Sequence, residues 1–92
     1  MKKLKREVKR GTMWRHFKGG LYLVEDIACD SHSAEDVVIY RAMNSTNLLW
    51  VRPLTEFLSE VDHEKYPNCQ QKYRFERFDV ENLMKSVSEV SN

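Results

Sequence analysis

The chain has 92 residues, 41% of them apolar and 32% charged, with a net charge of +1. That is one domain with a modest core of its own, and it excludes a collagen-like, low-complexity or multidomain chain. Two cysteines are too few for a disulfide framework, and no apolar run approaches the ~20 residues of a membrane-spanning helix.

The near-neutral total hides an asymmetry. Residues 1–10 hold six basic side chains against Glu7 alone, whereas residues 11–92 hold nine basic and thirteen acidic ones. The division expected is a basic, mobile tail over 1–10 and one folded domain over 11–92, because a tail with only Leu4 and Val8 as apolar residues cannot offset its ordering entropy. Weak, salt-sensitive contact with nucleic acid would belong to that tail, since the body lacks an overall basic balance. The N-terminus has no apolar stretch of the signal-peptide kind, so a cytoplasmic location without membrane attachment is expected.

Gly11 opens an extended run that places Met13, Arg15 and Phe17 on one side and Trp14 and His16 on the other. Lys18-Gly19-Gly20 is a turn, since glycine supplies the positive φ a tight hairpin needs. Residues 21–28 alternate Leu21, Leu23 and Ile27 with Tyr22, Val24 and Asp26, which predicts a second strand. The polar stretch 29–36 is a loop. Residues 37–43, β-branched and aromatic, form a third strand, and 48–52 a fourth after the Asn44-Ser45-Thr46-Asn47 turn.

Pro53 suits the first position of a helix. Leu54, Phe57, Leu58 and Val61 follow at i, i+3, i+4 and i+7, so a two-turn helix is predicted over 53–61. A polar loop with Pro67 leads to a fifth strand over 72–78. Asp79 is then a good N-cap for a last helix to about residue 90, with Val80, Leu83, Met84 and Val87 on one face. Five short strands with a helix before the last match an SH3-like plan: mainly β, an antiparallel, partly open barrel, with the C-terminal helix packed outside.

The alternation separates two sets of side chains. Met13, Phe17, Leu21, Leu23, Ile27, Val37, Ile39, Leu49 and Val51 make the aliphatic set, expected to fill the core. Trp14, His16, Tyr22, Tyr40, Trp50 and Arg52 fall in the opposite register, expected outside. So aromatic an outer face needs a cover, either the last helix or a ligand.

Trp14-Arg15-His16-Phe17-Lys18-Gly19, Tyr22, Val38 to Tyr40, Trp50-Val51-Arg52-Pro53 and Phe57 together resemble a bacterial family known as domain of unknown function 1653. The resemblance spans roughly residues 12 to 77. Trp14 stands where that pattern has Tyr, which removes a phenol, and Glu56 where it has Met. The resemblance implies a small SH3-type barrel and brings no assigned activity.

The chemistry-bearing residues support several functions. Trp14, His16, Tyr22, Tyr40, Trp50 and Arg52 are the candidate ligand-binding residues: aromatic faces that stack, with an imidazole and a guanidinium to fix orientation. A binding module for a peptide, a nucleotide or single-stranded nucleic acid is the leading expectation. A small enzyme using His16 and Arg52 in a cleft is the alternative, weakened because no second catalytic group accompanies His16. A structural domain that self-associates through its aromatic face is the third. Arg52 could equally tie the end of its strand to a nearby acid.

Cys29-x₂-His32 with His63-x₅-Cys69 contains zinc-type ligands, but the second spacing is loose and interrupted by Pro67, so no metal is expected there. No Gly-rich phosphate loop is present, and no cofactor is expected.

Overall fold

The computed structural model describes residues 6–79. Five strands, β1 (Met13–His16), β2 (Leu21–Cys29), β3 (Asp36–Ala42), β4 (Leu49–Pro53) and β5 (Phe75–Phe78), form a single antiparallel sheet. Its order is β4-β3-β2-β1-β5. Sequential hairpins build the first four strands, and the last returns beside the first, as the SH3-like plan requires. The sheet is not closed: β4 and β5 are its two edges.

Local chemistry sets each turn. Gly19, at φ 112°, lets the chain reverse between β1 and β2, with its N–H donating to the His16 carbonyl at 2.8 Å. Between β3 and β4 the Asn44 carboxamide accepts from the Thr46 N–H at 3.0 Å and the Thr46 hydroxyl at 2.6 Å, an Asx turn. A bulge between Val24 and Asp26 changes the phase of β2. Val24 is buried before it and Ile27 packs on the core after it, while Glu25 pairs with Arg41 at 2.8 Å.

The expected assignment of the two faces is reversed. The core is Trp14, Val24, Val38, Tyr40, Phe57 and Phe75, all buried. The aliphatic set lies mostly on the other face: Leu49 and Val51 are 51% and 61% exposed, and Met13, Leu21, Leu23 and Ile39 are half-buried, whereas Val37 is buried as expected and Ile27 packs against the core. Bulk explains the outcome. Phe57 stacks on Phe75 at 4.0 Å, and Trp14 and Tyr40 meet the Phe57 ring edge-on, each at 5.4 Å, so large rings fill a small curved interior that aliphatic side chains would leave with voids. Their polar tips are satisfied as they are buried: Trp14 Nε1 donates to Thr12 Oγ1 at 2.9 Å, and the Tyr40 hydroxyl accepts from Arg52 Nε at 3.0 Å.

The helix expected over 53–61 is one turn, α1 (Leu54–Phe57). The Ser59 N–H and hydroxyl both bond the Glu56 carbonyl, at 3.1 and 2.6 Å, and stop it. The chain then runs extended: Arg74 N–H donates to the Ser59 carbonyl, Glu60 bridges to Tyr73, and Val61 N–H donates to the Lys72 carbonyl. Phe57 and Val61 are buried all the same, so the apolar spacing located the inward positions although only the first turn is helical.

At the N-terminal end, residues 6–10 of the expected tail include side chains that pack. Val8 lies against the core. The Arg6 guanidinium donates to the carbonyls of Phe75 and Leu58, each at 2.7 Å, and lies 3.7 Å from the Tyr73 ring centroid. Beyond Asp79 the expected C-terminal helix lies outside the described residues.

Candidate functional site

The inner face of the sheet is filled in the middle and hollow at one end, where β1, β4 and the 62–74 segment meet. Five of the six candidate residues converge there. His16, Tyr22, Tyr40, Trp50 and Arg52, with Phe75, line a recess of about 200 Å³. The register explains the grouping: Tyr40 lies opposite Trp50, Val38 opposite Arg52, and His16 opposite Phe75, so that, with Tyr22 of β2, side chains from all five strands open onto one space. Trp14 is not among them. At 1% exposure it belongs to the core.

The recess is aromatic. Tyr22, Tyr40 and Phe75 meet edge to face with centroids 5.4 to 5.8 Å apart. Trp50, on the edge strand, is 49% exposed at its mouth. Arg52 is braced by the Tyr40 hydroxyl and by Glu56 Oε1 at 3.0 Å. Partial burial would lower its pKa, but the Tyr40 hydrogen bond and the Glu56 carboxylate outweigh that, and the shift is upward. Its charge is permanent.

His16 and Arg52 also border a second cavity, of about 380 Å³, with Lys18, Lys65, Arg74 and Asp62. Phe17 and Tyr66 complete its wall and pack edge to face at 5.0 Å. Sequence reading missed Lys18, Lys65, Arg74 and Tyr66 as site residues, because three of them come from segments distant from the motifs. Lys18, inside the first motif, was the only signal. The segment is placed by Asp62, whose carbonyl accepts from the Lys65 and Tyr66 N–H groups at 3.1 and 2.9 Å. The Gln71 carboxamide also donates to the Tyr73 and Arg15 carbonyls at 2.8 and 3.2 Å. A third hollow, about 490 Å³, lies along the same segment and shares Phe17, Lys18, Lys65 and Tyr66 with the second. It includes neither His16 nor Arg52.

The electrostatics follow from this crowd of cations. The His16 imidazole is pushed down to about 4, first by partial burial and then by the charges of Arg52, Arg74 and Lys18. It is therefore neutral at physiological pH. Its Nδ1 accepts from the Lys18 N–H at 3.1 Å, which leaves the proton on Nε2. Lys18, by hydrogen bonding and by charge, together with Lys65, draws the Tyr66 phenol below its ordinary value. Asp62, the carboxylate among the described residues that line the second cavity, is engaged by its own turn: Oδ1 accepts from the Glu64 N–H at 3.1 Å.

Among the described residues, no three His, Cys, Asp or Glu side chains are grouped to hold a metal ion. Cys29 and Cys69 are free thiols, and His63 meets the Gln71 carbonyl at 3.2 Å. No helix among the described residues is long and apolar enough to cross a membrane.

The family model described as protein of unknown function (DUF1653) matches residues 12–79. The chain belongs to that family. The matched span takes in all five strands and every residue of the two adjoining cavities, so the site sits wholly within the DUF1653 domain. No curated protein and no solved structure matches the chain.

Proposed function

We propose that this DUF1653 domain is a binding module whose cleft receives an anionic ligand. One observation carries the reading: His16 and Arg52 form the shared wall between an aromatic recess and a cavity bordered by Lys18, Lys65 and Arg74. Of the expected ligand classes, namely peptide, nucleotide and single-stranded nucleic acid, the charge favours those that bring a phosphate or carboxylate to that wall.

Binding is favoured over catalysis by the setting of His16. Its Nδ1 is occupied by a backbone N–H, and among the described residues no carboxylate, hydroxyl or thiol is bonded to the ring, so it lacks the oriented partner a general base requires. Loss of Arg52 has a structural side too, since it strands the hydroxyl of buried Tyr40. Arg52→Ala is expected to cost about 1–3 kcal/mol of stability and to abolish binding, whereas Lys18→Ala should weaken binding with little effect on the melt. Nuclear magnetic resonance titration at low salt with inorganic pyrophosphate and a glutamate-rich peptide tests the reading. The expected result is a set of shifts centred on His16, Lys18 and Arg74 that fades with added salt. Absence of any shift there with either anion would refute it.

A further inference from the structure

We infer that the ligand is a free nucleoside phosphate, its base in the aromatic recess against Trp50 and its phosphate among Lys18, Arg52, Lys65 and Arg74. The inference rests on the binding reading above and assigns the ligand class to that same cleft.

Two adjoining cavities of different chemistry call for a ligand with two ends. The recess offers ring faces, with Arg52 its one charged lining residue, and the half-exposed Trp50 at its mouth has no aromatic partner among the described residues. A flat heterocycle can stack on such a ring, and base–aromatic stacking depends little on which base it is. The edge of that heterocycle would meet His16 Nε2–H, a donor that makes no hydrogen bond to the described residues. Lowering of the imidazole pKa keeps this group a neutral donor, which suits a base edge next to a phosphate.

The other cavity concentrates charge. Lys18, Arg52, Lys65 and Arg74 are four of the nine basic side chains in residues 11–92, a span with thirteen acidic ones. Lys18 and Lys65 form no salt bridge among the described residues, and Arg74 has only its Nε engaged, by Ser59 Oγ at 3.2 Å. A phosphate brings up to two charges and three acceptor oxygens to such a set, where a carboxylate brings one charge and two. The acidic balance of the rest of the domain sets the length of the ligand: it repels an extended polyanion but not one or two phosphates held at a local basic pocket. A free nucleotide meets all three conditions.

The experiment compares adenosine 5′-diphosphate, uridine 5′-diphosphate, adenosine, inorganic pyrophosphate, a glutamate-rich peptide and a short single-stranded oligonucleotide. Calorimetry would give affinities, and the Trp50 indole resonance would report on stacking. Both diphosphates should bind at least tenfold more tightly than pyrophosphate. Trp50→Ala should reduce them to the pyrophosphate level, and Trp50→Phe should restore most of the difference. Arg74→Ala should weaken diphosphates and pyrophosphate alike. A bound phosphate should also raise the His16 pKa, because an anion favours the imidazolium.

Equal affinity for pyrophosphate and the diphosphates would overturn the nucleotide assignment while leaving an anion-binding cleft. Preference for the glutamate-rich peptide would do the same in favour of a protein partner. An oligonucleotide that binds far more tightly than the diphosphates would replace the free nucleotide with a nucleic-acid strand. Failure of every anion to bind would remove the binding reading itself.

Discussion

Arg6 shows how much one side chain can connect. Its guanidinium joins the Phe75 carbonyl at the start of β5 to the Leu58 carbonyl after α1, and its face covers the Tyr73 ring. Partial burial lowers its pKa against the opposing pull of Tyr73 and Glu76, yet the group stays charged, so both bonds are charge-assisted. Arg6→Ala should therefore cost about 1–3 kcal/mol, a fall in Tm of several degrees for a domain of this size. Arg6→Lys should recover little, since a single ammonium cannot present two parallel N–H groups to carbonyls on separate segments. Paired thermal melts check both statements, and an unchanged melt for Arg6→Ala would contradict them. Arg52 has a double role at the same scale: it braces the Tyr40 hydroxyl and Glu56, and it borders both cavities.

At the scale of elements, α1 matters for where it puts one ring and little for being a helix. One turn cannot be stable alone. Its purpose is to set Phe57 flat on Phe75 and edge-on to Trp14 and Tyr40. Phe57→Ala should cost about 3–5 kcal/mol, a large share of the roughly 5–15 kcal/mol that holds a small domain together. Leu58, half-buried beside it, should cost distinctly less when truncated. Chemical denaturation of both variants gives the ranking, and equal losses would show that α1 contributes as a unit and not through Phe57. The extended return at 59–61 follows from the same packing, because pairing with 72–74 carries the chain to the segment that bears Lys65, Tyr66 and Arg74.

Across the whole molecule, the cationic cleft ties stability to pH through His16. The folded imidazole titrates at about 4, below the ordinary value near 6.5 of the unfolded chain. Between those values the unfolded state binds a proton that the folded state refuses, so stability rises with pH through the window and is lost on acidification from about 6.5 to about 4. Solvent screening of a half-exposed ring reduces the effect to about 1–2 kcal/mol. Urea denaturation of wild type and His16→Gln at about pH 7 and about pH 4 should show the larger acid loss in wild type. Parallel losses in the two proteins would refute the link.

The sequence by itself determined the strand count, the glycine and asparagine turns, the antiparallel plan and the family, because each rests on local patterns in the chain. Gly19 needs positive φ, Asn44 bonds its own turn, and the period-2 runs mark strands wherever they end up. It also drew His16, Tyr22, Tyr40, Trp50 and Arg52 together, since the alternation that puts them in one register is the same in the folded sheet. Only the tertiary structure decided which register is inside. Both faces of these strands are apolar enough to be buried, and alternation is blind to which one is. The choice was made by Phe57 and Phe75, remote in sequence from Trp14 and Tyr40, whose rings interlock with them in the interior. The same non-local packing brought Lys65 and Arg74 to Arg52 and so created the cationic half of the cleft. Charges from separate segments sum only when folding places them around one space, and no spacing along the chain records that sum.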